Sequence, residues 1–149
     1  LKYDVNFVNA PYIAADRGIE VVESKKTTSD DFASLVKLTV KSLEGENVVS
    51  GTIFGKNLPR ILRINDFYLE AIPEGHILLI RNKNTPGVIG RIASALAGHK
   101  INMGRMQVGE EAEKKQNVVL ITTGSTVSDE ILEEIRSLED VFSARRIEL

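Results

Sequence analysis

The sequence predicts an α+β chain in two parts: a truncated antiparallel α/β domain over residues 1–73, then a β-α-β-β-α-β domain over residues 74–149. Three observations carry this. Residues 76–149 alternate strand-length apolar runs with two segments of helical periodicity. Residues 1–73 hold strand-like segments between turn residues, with a single short helical segment. The balance of 42% hydrophobic to 27% charged residues is that of a globular protein, with a core of Val, Ile, Leu and Ala because aromatics are only 5%.

In the first part, Val5-Asn6-Phe7-Val8 reads as a strand, residues 11–17 as a short helix ended by Gly18, and residues 19–23 as another strand. Residues 25–31 are polar. Residues 32–41 and 48–54 form an expected hairpin around Glu44-Gly45-Glu46-Asn47, and residues 60–63 pair with 68–71 across Asn65-Asp66. So little helix leaves a sheet face uncovered, which marks this half as part of a larger domain.

In the second part, His76-Ile77-Leu78-Leu79-Ile80 is a strand bounded upstream by Pro73-Glu74-Gly75. Pro86 suits the first helical position, where its missing N–H would be unpaired anyway, so Thr85 is the expected N-cap. Val88, Ile89, Ile92, Leu96 and Ala97 make one apolar face of a helix running to Lys100. Ile101, Met103 and Val108 belong to a second strand, residues 110–116 to a charged hairpin loop, and Val118-Val119-Leu120-Ile121 to a third strand. Ser128 can cap a second helix with the core face Ile131, Leu132, Ile135 and Leu138, and residues 141–149 close as a fourth strand. This order is the ferredoxin-like one, whose first and third strands are central. Those are the two unbroken apolar runs, which suggests burial on both faces. Two helices cover one face. The other needs a second copy of the chain or another domain, and self-association is the expectation.

Charge and composition narrow the function. Nineteen basic against twenty-one acidic residues give a net charge of −2, a poor balance for nucleic-acid binding. The same element order builds an RNA-binding module, but that module stacks bases on aromatics of its central strands, and these have none. With no Cys there is no thiol catalysis, disulfide or Cys-based metal site, and His76 and His99 show no ligand spacing. No apolar run reaches the roughly 18 residues of a membrane span. No G-x-G-x-x-G or P-loop is present. The chain opens on Leu1 without a secretory signal and reads as an excised piece of a longer cytoplasmic protein.

Two clusters are candidate sites. Asn82, Asn84 and the loop Thr85-Pro86-Gly87 stand where a strand meets a helix, and Asn102 enters the next strand. A carboxamide both donates and accepts, and a helix N-terminus adds backbone donors, so three Asn lining one end of the sheet would suit a zwitterion such as a free amino acid. Asn is also common in turns for its own backbone hydrogen bonds. Lys56, Arg60 and Arg63 flank a hairpin and form a candidate anion site, or else a solvated strand face. No catalytic, cofactor-binding or metal-binding residue is assigned.

Several stretches carry a family resemblance. Residues Ile80-Arg81-Asn82-Lys83-Asn84-Thr85-Pro86-Gly87-Val88-Ile89-Gly90-Arg91-Ile92, Gly98-His99-Lys100-Ile101-Asn102-Met103 and Met106-Gln107-Val108-Gly109 resemble the ACT domain that ends long D-3-phosphoglycerate dehydrogenases. Upstream, Val5-Asn6-Phe7-Val8-Asn9-Ala10-Pro11, Arg17-Gly18-Ile19, Ser50-Gly51-Thr52-Ile53-Phe54-Gly55 and Pro59-Arg60-Ile61 are similar to part of the allosteric substrate-binding domain of the same enzymes. The resemblance implies a regulatory fragment whose parent oxidises 3-phosphoglycerate with NAD in L-serine synthesis, while the fragment itself holds no cofactor. It implies an amino-acid effector, L-serine, bound between paired subunits at positions that match Asn82, Asn84 and Asn102, and a phosphorylated ligand for Lys56, Arg60 and Arg63. The alternatives are the regulatory region of an L-serine dehydratase, or an ACT assembly module without a ligand.

Overall fold

The computed structural model describes residues 5–25, 34–111 and 114–149. The chain divides into two compact units, Leu1–Asp31 and Phe32–Leu149.

The described part of the first unit is built around helix α1 (Ala10–Asp16), with Pro11 in its first turn. The strands expected at residues 5–8 and 19–23 do not form. Local side chains capture the backbone instead. Asn6 Oδ1 accepts from the Val8 and Asn9 N–H groups at 2.9 and 3.1 Å, and Asn9 Oδ1 accepts from the Asn6 N–H at 2.7 Å. This reciprocal pair closes a turn ahead of the helix, as short polar side chains do when they outcompete an extended ladder. Gly18, at φ 67°, ends the helix as expected, and the Ile19 N–H bonds back to the Ala14 carbonyl.

The second unit holds two antiparallel four-stranded sheets. The first is a meander of β1 (Val36–Ser42), β2 (Gly45–Phe54), β3 (Leu58–Ile64) and β4 (Phe67–Ala71). The first hairpin is tighter than expected: Ser42 pairs with Gly45, so the turn lies at Leu43-Glu44 and residues 45–47 are strand. Phe32 and Ala33 of the expected first strand lie outside the described residues. The β3–β4 turn falls at Asn65-Asp66 as expected, with Asn65 at φ 52°, a conformation Asn tolerates.

The second sheet has the order β6-β7-β5-β8, from β5 (His76–Lys83), β6 (Met103–Glu111), β7 (Gln116–Thr123) and β8 (Val141–Glu148). The two apolar runs, β5 and β7, are central, as the ferredoxin-like order requires. Helices α2 (Val88–Gly98) and α3 (Asp129–Ser137) lie on one face. There Leu78, Ile80, Val119 and Ile121 meet Val88, Ile92, Leu96, Ile131 and Ile135, all nearly solvent-free. Ser128 caps α3, its Oγ accepting from the Ile131 N–H at 3.4 Å.

Three expectations about α2 are corrected. It begins at Val88, with Gly87 at φ 89° as N-cap, because the Thr85 hydroxyl is taken by Asp140 Oδ2 at 2.8 Å. It ends at Gly98 rather than Lys100. Ala95 is buried and Ala97 exposed, since positions 88, 92, 95 and 96 follow the 3.6-residue turn more closely.

The second face of this sheet is covered from within the chain. Phe67 and Ala71 of β4 pack on Ile77, Val118 and Leu120, with Ile61, Ile64, Leu69 and Leu79 around them. The two-sided burial read from the apolar runs is therefore satisfied by the meander, and those runs do not themselves call for a second copy.

Candidate functional site

The expectation that Asn82, Asn84 and Asn102 line one end of the sheet fails within a single chain. Asn82 leaves β5 opposite Asn117 of β7. Asn102 precedes Met103, which pairs with Thr123 at the far end of β7, and its carbonyl accepts from the Gly124 N–H at 2.9 Å. The cause is the crossover. β5 and β6 both run antiparallel to β7, so α2 carries the chain back and β6 starts at the end where β5 started.

At the end where Asn82 and Asn84 stand, the structure adds residues that spacing did not single out. Asn82 and Asn117, register partners on the helix side of the sheet, are 1% and 6% exposed. Asn82 Nδ2 donates to the Lys83 carbonyl at 2.8 Å. Asn117 Nδ2 donates to Asn84 Oδ1 at 3.3 Å, and Asn84 Nδ2 donates to Glu110 Oε1 at 2.6 Å. The Asn84 N–H bonds to the Lys115 carbonyl at 2.8 Å, which ties this loop to the β7 strand start. Arg91, one turn into α2, donates to the Glu139 carbonyl at 3.0 Å and stands 3.9 Å from Asp140 Oδ2. Asp140 also receives Thr85 and lies 3.8 Å from Lys83 Nζ.

The electrostatics of this corner are set by what is missing. Among the described residues, three buried side-chain polar atoms have no partner: Asn82 Oδ1, Asn117 Oδ1 and Arg91 Nε. All three lie at this end of the sheet, beside the N-terminus of α2. Each such atom costs about 1–3 kcal/mol when left without a partner, so their clustering is not expected of an ordinary core. Two acceptors, a guanidinium donor and the first-turn N–H groups of a helix match the two ends of a zwitterion. Asn117 had a signal in the sequence, a carboxamide directly before the apolar run 118–121; Arg91 and Glu110 had none.

Lys56, Arg60 and Arg63 are not brought together. Lys56 sits in the β2–β3 turn. Arg60 lines a cavity of about 220 Å³ between the two sheets with Glu70, Arg105 and Gln107. Its Nε meets Glu70 at 3.3 Å, while Arg105 meets Glu74 at 2.8 Å, so each guanidinium already has a carboxylate. Arg63 lies over the Tyr68 ring at 5.3 Å beside a different, wider cavity and donates to the Asn65 carbonyl. Nearby, Lys114 bridges Glu111 at 2.8 Å and Asp66 at 3.3 Å, and the hydrogen bonds it donates to these carboxylates, Glu111 first, hold its ammonium above the ordinary lysine range. His76 and His99 make polar contacts to Thr126 and Glu134. Among the described residues no group of three His, Cys, Asp or Glu could hold a metal, and no helix is long and apolar enough to cross a membrane.

Comparison with known proteins accounts for both halves. Residues 1–65 match the family model of the D-3-phosphoglycerate dehydrogenase intervening domain, and residues 76–140 match the ACT domain. The chain is 34% identical over 145 residues to D-3-phosphoglycerate dehydrogenase of Methanocaldococcus jannaschii, covering 97% of this chain and 27% of that protein. It is 32% identical to the Archaeoglobus fulgidus enzyme, over all of this chain and 28% of that protein. The Bacillus subtilis enzyme is 29% identical over 97% of this chain and 28% of its own length. The chain thus spans just over a quarter of the relatives it matches, and it belongs to the D-3-phosphoglycerate dehydrogenase family, whose intervening and ACT regulatory region it carries.

Proposed function

We propose that this region senses an amino acid, L-serine, on behalf of a cytoplasmic NAD-dependent phosphoglycerate dehydrogenase, and does no chemistry itself. The observation that carries the reading is the group of partnerless buried atoms beside the α2 N-terminus. Asn82 and Asn117 oxygens suit the ammonium group; Arg91 and the helix N-terminus suit the carboxylate.

The position of Asn102 bears on how the site is completed. β6 is an edge strand, with exposed Met106 and Val108 on the same face as the helices. If β6 pairs antiparallel with its own copy, the start of one strand lies against the end of the other. Asn102 of a second copy then comes beside Glu110, which is already bonded to Asn84. Met106 and Val108 of both copies extend the apolar layer under the helices. In this reading the effector sits between two subunits, with Asn82 and Asn84 from one and Asn102 from the other, and binding tightens the dimer by linkage. A coupling of about 1–3 kcal/mol would suffice to regulate the parent enzyme severalfold or more. The intervening-domain match favours the dehydrogenase over the serine dehydratase alternative.

Calorimetry with L-serine on Asn84→Ala, Asn102→Ala and their mixture tests this. Each variant alone should lose about ten- to a hundredfold in affinity, the value of a hydrogen bond to a charged group. Mixed subunits should regain some full-affinity sites, because a heterodimer keeps one site with both Asn intact. Variants that bind as the parent does, or a mixture that regains nothing, refute the shared site. A parent chain that binds no amino acid leaves the ligand-free assembly module.

A further inference from the structure

We infer that Glu110 and Asn117 make this corner selective for an amine-bearing effector: Glu110 orients a relay of carboxamides that leaves Asn117 Oδ1, beside Asn82 Oδ1, as the acceptor of a bound ammonium group. The inference rests on the effector-site reading above and adds to it two residues and the chemistry by which the ligand is recognised.

The relay follows from donor and acceptor rules. A carboxylate accepts hydrogen bonds and offers none. Asn84, 2.6 Å from Glu110 Oε1, must therefore present its Nδ2 to Glu110 and its Oδ1 to the other side. Asn117, facing that Oδ1 at 3.3 Å, must then present its own Nδ2. The remaining Asn117 oxygen is turned inward, buried and partnerless. Asn82 is fixed independently: its Nδ2 faces the Lys83 carbonyl, another pure acceptor, at 2.8 Å. Its oxygen is likewise buried without a partner. Since Asn82 and Asn117 pair in register across β5 and β7, the two orphaned oxygens are neighbours on one face of the sheet.

Two adjacent acceptors, with a carboxylate at the end of the relay, favour a group that carries several N–H donors and positive charge. An ammonium group has three. A ligand with the same carboxylate but no amine would leave both oxygens unpaired, the circumstance in which polar sites discriminate most strongly. Glu110 is exposed and reaches the ligand only through Asn84 and Asn117, so it is a positioning residue.

The test is calorimetric titration of the full chain with L-serine and with 3-hydroxypropanoate, the same molecule without its amine. The parent should prefer serine by about tenfold or more, the value of a lost hydrogen bond to a charged group. Glu110→Gln, a surface change that keeps the side-chain shape, frees the relay to reverse. It should shrink the preference by weakening serine while leaving 3-hydroxypropanoate unchanged, and Glu110→Asp should restore part of it. Asn117→Ala should abolish the preference, and adding Glu110→Gln to it should do nothing more, since the two act in series. Should Asn117→Ala unfold, Glu110→Gln decides alone. A parent that binds both ligands equally means that a buried water satisfies the oxygens, and the inference fails. A parent that prefers serine and keeps that preference in Glu110→Gln refutes the relay while the effector site stands. A parent that binds neither ligand refutes both.

Discussion

A methyl group on Gly109 would stand 2.9 Å from the Tyr68 carbonyl oxygen and 3.2 Å from Phe67 Cβ. The main chain of β4 passes so close to β6 that no side chain fits between them. Gly109→Ala must therefore push the two sheets apart or bend a strand, at a cost of about 1–3 kcal/mol. Urea unfolding should show a lower midpoint with an unchanged slope; an unchanged midpoint would mean that the contact yields freely. Gly87 is required for a different reason. At φ 89° it turns the chain from β5 into α2, a conformation that strains other residues. Both glycines act on the site indirectly, one by seating the sheet and the other by aiming the helix N-terminus.

At the scale of elements, β6 differs from the other strands of its sheet. One edge is bonded to β7 and the other is open, and Met106 and Val108, on the helix side of the sheet, are each 44% exposed. An open edge with apolar side chains is where sheets join. Val108→Lys should turn a self-associating chain into a monomer, since a buried charge at a paired edge is costly, while its melting temperature falls little because Val108 packs lightly in one chain. Sedimentation velocity of parent and variant at matched micromolar concentration checks this. Equal sedimentation of the two would place any association elsewhere, for example on β8. The short helices behave differently. α3 has nine residues, too few to persist alone, and depends on the Ser128 cap and on Ile131, Leu132 and Ile135 buried against the sheet.

Over the whole of the second unit, stability rests on three layers sharing the central sheet: helices, the β6-β7-β5-β8 sheet, and the meander. Phe67 is the largest side chain fully committed to the meander interface, 3% exposed between Ile77, Val118 and Leu120. Phe67→Ala should cost about 3–5 kcal/mol. Because the lost contacts join the layers, the loss should appear as earlier unfolding of the meander, splitting one denaturation transition into two. A single transition displaced by less than this amount would show that the two sheets hold together without the Phe67 contact. The covered face also means that the effector proposed for the α2 corner would touch a sheet whose opposite side carries the meander, the layer through which a shift would reach the rest of a longer enzyme.

By itself the sequence determined the order of elements in residues 74–149, the central place of its two apolar strands, the Ser128 cap and the Asn65-Asp66 turn. These follow from periodicity and from residues whose side chains act on their own backbone. It also determined the family, through motifs that span the chain. Tertiary structure alone decided the rest. Residues 5–8 had strand composition but no strand, because the Asn6–Asn9 pair took the backbone, and residues 19–23 form none because a ladder needs a partner strand. Thr85 was a plausible cap until Asp140, fifty-five residues away, claimed its hydroxyl. Asn82 and Asn84 were legible as candidates, whereas Asn117, Glu110 and Arg91 come beside them only through strand register and helix placement. Asn102 was legible by type and misplaced by position, since a crossover returns the chain to the end it left. Local chemistry can be read along a chain; the partners of a buried polar atom are set by residues distant in it, and these only the folded structure brings together.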